Sequence, residues 1–125
     1  MSGNFQVCGS CRRTWATCEK FVVDPGVRLL GLQSHAGYTD INLLVFEHAC
    51  GSSISVLARR LRHLLPPAPP GAPIVRLLNT SECRGHCLRL RDLQACDRPC
   101  ANERDRELML LLLRMKKEAR RLARY

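Results

Sequence analysis

The chain has 125 residues and a mass of 14.1 kDa, room for one domain or two very small ones and too little for a TIM barrel or a two-lobed cofactor enzyme. Hydrophobic residues make up 46%, which excludes global disorder, and no apolar run approaches the ~18 residues of a membrane span. The net charge of +9 favours an anionic partner such as nucleic acid, an acidic protein face or a lipid surface, and the eight cysteines favour metal ligation in a reducing compartment.

Met1-Ser2-Gly3-Asn4-Phe5 has no basic segment followed by a long apolar stretch, so no export signal is expected and the cytoplasm is the expected location. Phe5-Gln6-Val7 leads into the tight turn Cys8-Gly9-Ser10-Cys11. Thr14 is placed to cap a short helix bearing Trp15, Cys18 and Val22 on one side. Asp24-Pro25-Gly26 is a turn. Two strands are expected, Val27 to Gln33 and Ile41 to Glu47, joined by the loop 34–40. The second ends in another tight turn, His48-Ala49-Cys50-Gly51. Leu57, Leu61 and Leu64 recur at helical spacing and predict a short helix.

Five of the seven prolines lie in 66–73 and predict an extended spacer. Ile74 to Leu78 reads as a strand, followed by a cysteine-rich segment over 83–100. Asn102 is then placed to cap a helix reaching about Arg124. Acids in its first turn and bases in its last suit the helix dipole. Leu108, Leu111, Leu112, Met115, Ala119, Leu122 and Ala123 form an apolar stripe. Arg114, Lys116, Lys117, Arg120, Arg121 and Arg124 lie opposite. The expected fold is a small α+β metal-stabilised protein. It comprises a zinc-ribbon-like β-hairpin module (1–63), a Pro-rich linker (64–74) and a four-cysteine segment with a long amphipathic helix (75–125).

Two cysteine groups carry the chemistry. Cys8-x-x-Cys11 and His48-x-Cys50-Gly51 are two hooks at strand ends, and the hairpin between them would bring them together. Zinc needs four soft or borderline ligands in a tetrahedron, and these hooks supply three cysteines and one histidine. Gly9 and Gly51 are expected to relieve crowding where the chain turns around the ion. Cys18 is read as a core thiol beside Trp15, with replacement of His48 by Cys18 in an all-cysteine site as the alternative. His35 is read as a loop residue, and His63 carries no functional signal.

The second group, Cys83-x3-Cys87-x8-Cys96-x3-Cys100, puts each pair on one face of a helical turn. Pro99 weakens a regular helix through the second pair. Zinc, an iron–sulfur cluster and two disulfides all suit four thiols so spaced, with zinc preferred. His86 is an alternative ligand, though a position beside Gly85 favours exposure.

The matching residues Cys8-x-x-Cys11, Trp15, Asp24-Pro25-x-Val27, Leu30-Gly31-x-Gln33, Phe46-x-His48-x-Cys50-Gly51 and the two Cys-x3-Cys pairs are a recognisable combination. Over roughly 5–101 the chain resembles a family of small, uncharacterised bacterial cysteine-rich, zinc-ribbon-like proteins. The resemblance implies that the two clusters are units, and implies no activity. Cys18 and the arginine-rich helix have no counterpart in that pattern.

The function read from these residues is a metal-binding interaction protein with structural zinc: an adaptor, accessory subunit or regulator. Small modules of this size need a staple. The partner is expected to be a protein, or a second copy, docking on the apolar stripe of the C-terminal helix; packing of that stripe on the N-terminal module is the other outcome. A nucleic-acid-binding ribbon is the first alternative, although aromatics are not interleaved with the arginines. A redox protein using the C-terminal cysteines is the second. No Ser–His–Asp grouping, phosphate loop or His-Glu-x-x-His is present, so no enzyme is expected.

Overall fold

The computed structural model describes residues 3–35, 38–73, 77, 80–98 and 100–123, with only the backbone described at 35 and 38–40. Strands β1 (Gln6–Val7) and β2 (Thr14–Trp15) pair as a small antiparallel hairpin, Gln6 opposite Trp15. Helix α1 (Cys18–Val23) follows. Strands β3 (Val27–His35), β4 (Tyr38–His48) and β5 (Ser53–Leu57) form an antiparallel meander in the order β3-β4-β5. Helix α2 (Glu103–Leu122) closes the fold and packs on α1 and β3.

Alternation sets the inner face of the sheet. Along β4, Asn42, Leu44, Phe46 and His48 are buried; along β5, Ile54 and Val56 are. Val27 and Leu29 continue that face on β3 until the register shifts between Leu29 and Gly31. The extra residue turns Leu32 inward, where an unbroken strand would point it out.

Several local expectations change. Thr14 lies in β2, and Thr17 caps α1 by accepting the Lys20 N–H at 3.2 Å. Trp15 pairs across the first hairpin and reaches the core from a strand. The helix expected at 57–64 is a strand end followed by two 3-10 turns, Ala58–Arg60 and Arg62–Leu64. The alternation of Ile54 and Val56 extends β5 to Leu57, and Pro66 denies the later turns room to grow into an α-helix. Of the strand expected at 74–78, all but residue 77 lies outside the described residues, as does Arg124.

Both sides of the Pro-rich stretch feed one core. Leu108, Met109 and Leu112 of α2 lie in the same apolar cluster as Trp15, Phe21, Leu32, Phe46 and Leu61. Leu110, Leu113 and Met115 pack against it from the helix flanks. Of the stripe expected to dock a partner, Leu108 and Leu112 lie in the core and Met115 packs against it, Leu111 and Ala119 are half-buried, and Leu122 and Ala123 are exposed. Lys116, expected on the basic face, is buried; its Nζ donates to the carbonyls of Val22, at 2.6 Å, and Val27.

A buried polar network fixes the helix in place. Asn102 makes no side-chain cap. Its amide instead donates to Ser34 Oγ at 2.9 Å, and its oxygen accepts from Asn42 Nδ2 at 3.0 Å. Asn42 Nδ2 also donates to Asp105 Oδ2 at 2.9 Å. Arg62 grips Asp105 with two bonds of 2.7 and 2.8 Å. Charge-assisted bidentate pairing compensates the burial of Asp105 and sets the helix orientation.

Candidate metal centre

The two N-terminal hooks meet. The ligand atoms of Cys8, Cys11, His48 and Cys50 all lie within 4.8 Å of one another. Cys8 Sγ and Cys50 Sγ are 3.7 Å apart, Cys11 Sγ and His48 Nδ1 3.6 Å, and His48 Nδ1 and Cys50 Sγ 3.2 Å. A tetrahedral ion with metal–sulfur bonds of ~2.3 Å spaces its sulfurs ~3.8 Å apart. Cys8 and Cys50 already have that spacing, and the quartet as a whole could hold a metal ion.

Backbone geometry builds each hook. In the first, the Cys8 N–H donates to Arg13 O at 2.8 Å and the Arg12 N–H returns to Cys8 O at 2.9 Å. The left-handed residue is Arg12, with φ of 69°. Gly9 is not left-handed, and a β-carbon there would meet nothing within 4 Å. In the second hook Gly51 does take a positive φ, 94°, as its N–H closes on His48 O at 2.8 Å. The alternation of β4 turns His48 inward, and Trp15 stands edge-on to its ring with centroids 5.2 Å apart. Trp15 is held in turn by Asp24, which accepts its indole N–H at 2.8 Å and pairs with Arg13 at 3.1 Å.

The electrostatics favour the thiolate at Cys8 and Cys50. The Cys11 N–H, the Ser52 hydroxyl and the Ser10 N–H draw the Cys8 pKa down to about 5. Ser52, through its hydroxyl and its backbone, lowers Cys50 as well. Cys11 is raised: the Arg13 N–H favours its thiolate, but burial and the neighbouring Cys8 and Cys50 outweigh it. At His48 burial opposes protonation, yet the adjacent Cys8 and Cys50 raise its pKa overall. Ser52 Oγ sits 3.2 Å from Cys8 Sγ and 3.0 Å from Cys50 Sγ, a hydroxyl within hydrogen-bond reach of two ligands that the sequence reading missed. Its place just after Cys50-Gly51 was the only available signal.

Cys18 is not part of the quartet. It belongs to a second group that could hold a metal ion, with Glu19 and His63. Cys18 Sγ lies 3.4 Å from His63 Nε2 and 3.1 Å from Glu19 Oε1. Burial, and then the adjacent Glu19 carboxylate, raise its pKa to about 11, so this thiol resists ionisation. His63, which carried no signal in the sequence, is brought there by the second 3-10 turn.

The C-terminal cysteines converge on one cavity lined by Cys83, Cys87, Cys96, Cys100, Leu77 and Arg106 among others. All eight cysteines of the chain are free thiols. Among the described residues, the four sulfurs do not draw together as closely as the N-terminal quartet. The helical turns expected here are a 3-10 turn, His86–Leu88, entered through Gly85 at φ 82°, and irregular chain. Arg84 and Asp97, each next to a cysteine, join the two halves through bonds of 3.2 Å. His86 is half-buried and engages Asp92 at 2.8 Å. Asp92, disfavoured by burial, is nonetheless held to a pKa of about 2 by His86, the Gln94 N–H and Arg89. Burial raises Cys87, against the pull of Arg106.

Comparison with family models, curated proteins and solved structures returns no match. The resemblance to cysteine-rich ribbon proteins therefore rests on the quoted residues alone. No described helix is long and apolar enough to cross a membrane.

Proposed function

We propose that the protein is a zinc-stapled interaction module, in which the metal serves structure rather than catalysis. The observation that carries this reading is the convergence of Cys8, Cys11, His48 and Cys50, whose ligand atoms lie within 4.8 Å of one another. Four protein ligands saturate zinc, whereas a catalytic zinc keeps a position open. The site ties the β1-β2 hairpin to the end of β4, across 37 to 42 residues of chain. Zinc at such a site supplies on the order of 10 kcal/mol of folding free energy. The C-terminal thiols are the second zinc position in this reading.

The partner is recognised by charge. With Leu108 and Leu112 of α2 inside, the helix presents Arg114, Lys117, Arg120 and Arg121 to solvent, and Arg12, Arg13, Arg59 and Arg60 are exposed elsewhere. An acidic protein surface suits an adaptor, accessory subunit or regulator working in the cytoplasm. The same exposed arginines support nucleic acid as the alternative partner. Metal analysis of the reduced protein, purified without added metal, tests the zinc reading. Binding to a random-sequence oligonucleotide across a salt series tests the alternative: a steep loss of affinity with salt supports it, and no binding at low salt rejects it.

A further inference from the structure

The least expected side chain in the molecule is Arg106. It is 1% exposed, and only Nη1 is satisfied, donating to the carbonyls of Asp92 at 2.8 Å and Gln94 at 2.7 Å. Its Nε and Nη2 are buried with no hydrogen-bond partner. Among the described residues no carboxylate forms an ion pair with it; Asp92 offers only its backbone oxygen, its carboxylate being held by His86 and Arg89. A guanidinium buried this way is costly unless negative charge faces it. It lines the cavity formed by Cys83, Cys87, Cys96 and Cys100.

We infer that this cavity is a single-ion tetrathiolate site whose charge is balanced by Arg106. The inference rests on the reading that the thiols of this chain bind a divalent metal, and it adds the kind of centre and its counter-ion. Four thiolates around a divalent ion form a dianion, and the free N–H groups of Arg106 are the donors such a centre requires. Further donors are already in place. The Gly85 N–H donates to Cys83 Sγ at 3.3 Å, and the Asn102 N–H to Cys100 Sγ at 3.4 Å. Each comes from two residues beyond its cysteine, as Ser10 does for Cys8. The Leu77 N–H adds a third at 3.1 Å to Cys100.

Size selects the occupant. The cavity measures about 20 Å³, where about 10–15 Å³ holds one water. That space suits one ion. Binding draws the four sulfurs inward around the ion, with the loop carrying Cys96 anchored by Arg106 through the carbonyls of Asp92 and Gln94.

Cobalt(II) titration of the full reduced chain tests this, because an all-thiolate site and a mixed thiolate–imidazole site give different ligand-field spectra. Two spectral components are expected, the mixed one from the N-terminal quartet and the all-thiolate one from the cavity. Cys87→Ser should remove only the all-thiolate component. Arg106→Gln should weaken that ion by about 10- to 100-fold, and Arg106→Lys should recover at least tenfold of the loss. In the unmutated chain, the ion that gives the all-thiolate component should protect Cys83, Cys87, Cys96 and Cys100 from alkylation together. That readout remains should the Arg106 variants fail to fold. A mixed component alone would overturn the inference and leave the N-terminal zinc standing; no cobalt binding would overturn both. Unchanged affinity in Arg106→Gln would remove Arg106 as counter-ion, and visible iron–sulfur absorption in the purified protein would overturn the single ion.

Discussion

Gly31 and Leu90 touch so closely that a β-carbon on Gly31 would overlap the carbonyl oxygen of Leu90 and stand 2.7 Å from its carbonyl carbon. The cysteine-rich segment is thus pressed onto the bulge of β3 through backbone, which cannot yield as a side-chain tip can. Gly31→Ala should lift that segment, lower stability by more than about 2 kcal/mol and abolish metal binding at Cys83–Cys100. The N-terminal quartet should keep its ion. Thermal unfolding with metal analysis checks both.

Cys18 lies outside the quartet, and Ser52 lies against it. Cys18→Ala should leave the N-terminal metal bound and cost about 1 kcal/mol, a small-cavity effect. Ser52→Ala removes a hydroxyl shared by Cys8 and Cys50 and should weaken metal binding by about tenfold, measured by chelator competition. Cys11→Ala should release that metal altogether.

The grip of Arg62 on Asp105 predicts that α2 is locked by polarity as well as by leucines. Asp105→Ala removes one acceptor from Asn42 and the buried half of the Arg62 ion pair, and should cost about 3 kcal/mol in denaturant unfolding, tempered by the partial exposure of Arg62. Leu112→Asp should unfold the protein, because Leu112 lies in the core.

Much of the N-terminal site was legible. Hooks at 8–11 and 48–51 with strand alternation between them constrain where the ligands go, and Trp15 and the Asp24 turn stand beside them. Partners brought by contacts distant in sequence were not legible. Cys18 meets His63 across 45 residues, and Asn42 meets Asp105 across 63. Neither the bulge after Leu29 nor the burial of Lys116 breaks a local pattern that periodicity reports. The stripe of α2 was read correctly as apolar, yet periodicity alone does not say whether a chain covers its own stripe. Arg106, three residues before the buried Met109, had only helical phase to betray it.

Lys116 offers a pH signature. Burial lowers its pKa from 10.5 to about 8, with Asp24 opposing. Between pH 8 and 10.5 the unfolded chain therefore binds the proton more strongly than the folded one. Stability should rise with pH across that window, and the burial cost of the charge should be fully present below it. Since cysteines titrate in the same range, the comparison is wild type against Lys116→Met, whose curve should lack this increment. Equal slopes would show that the two carbonyl acceptors keep the ammonium charged.

The most direct measurement is zinc content per chain in reduced protein purified without added metal, with Cys11→Ala prepared alongside. About two zinc ions are expected in the wild type, and the variant should lose one. A folded wild-type chain free of metal, with all eight thiols reactive, would contradict that expectation.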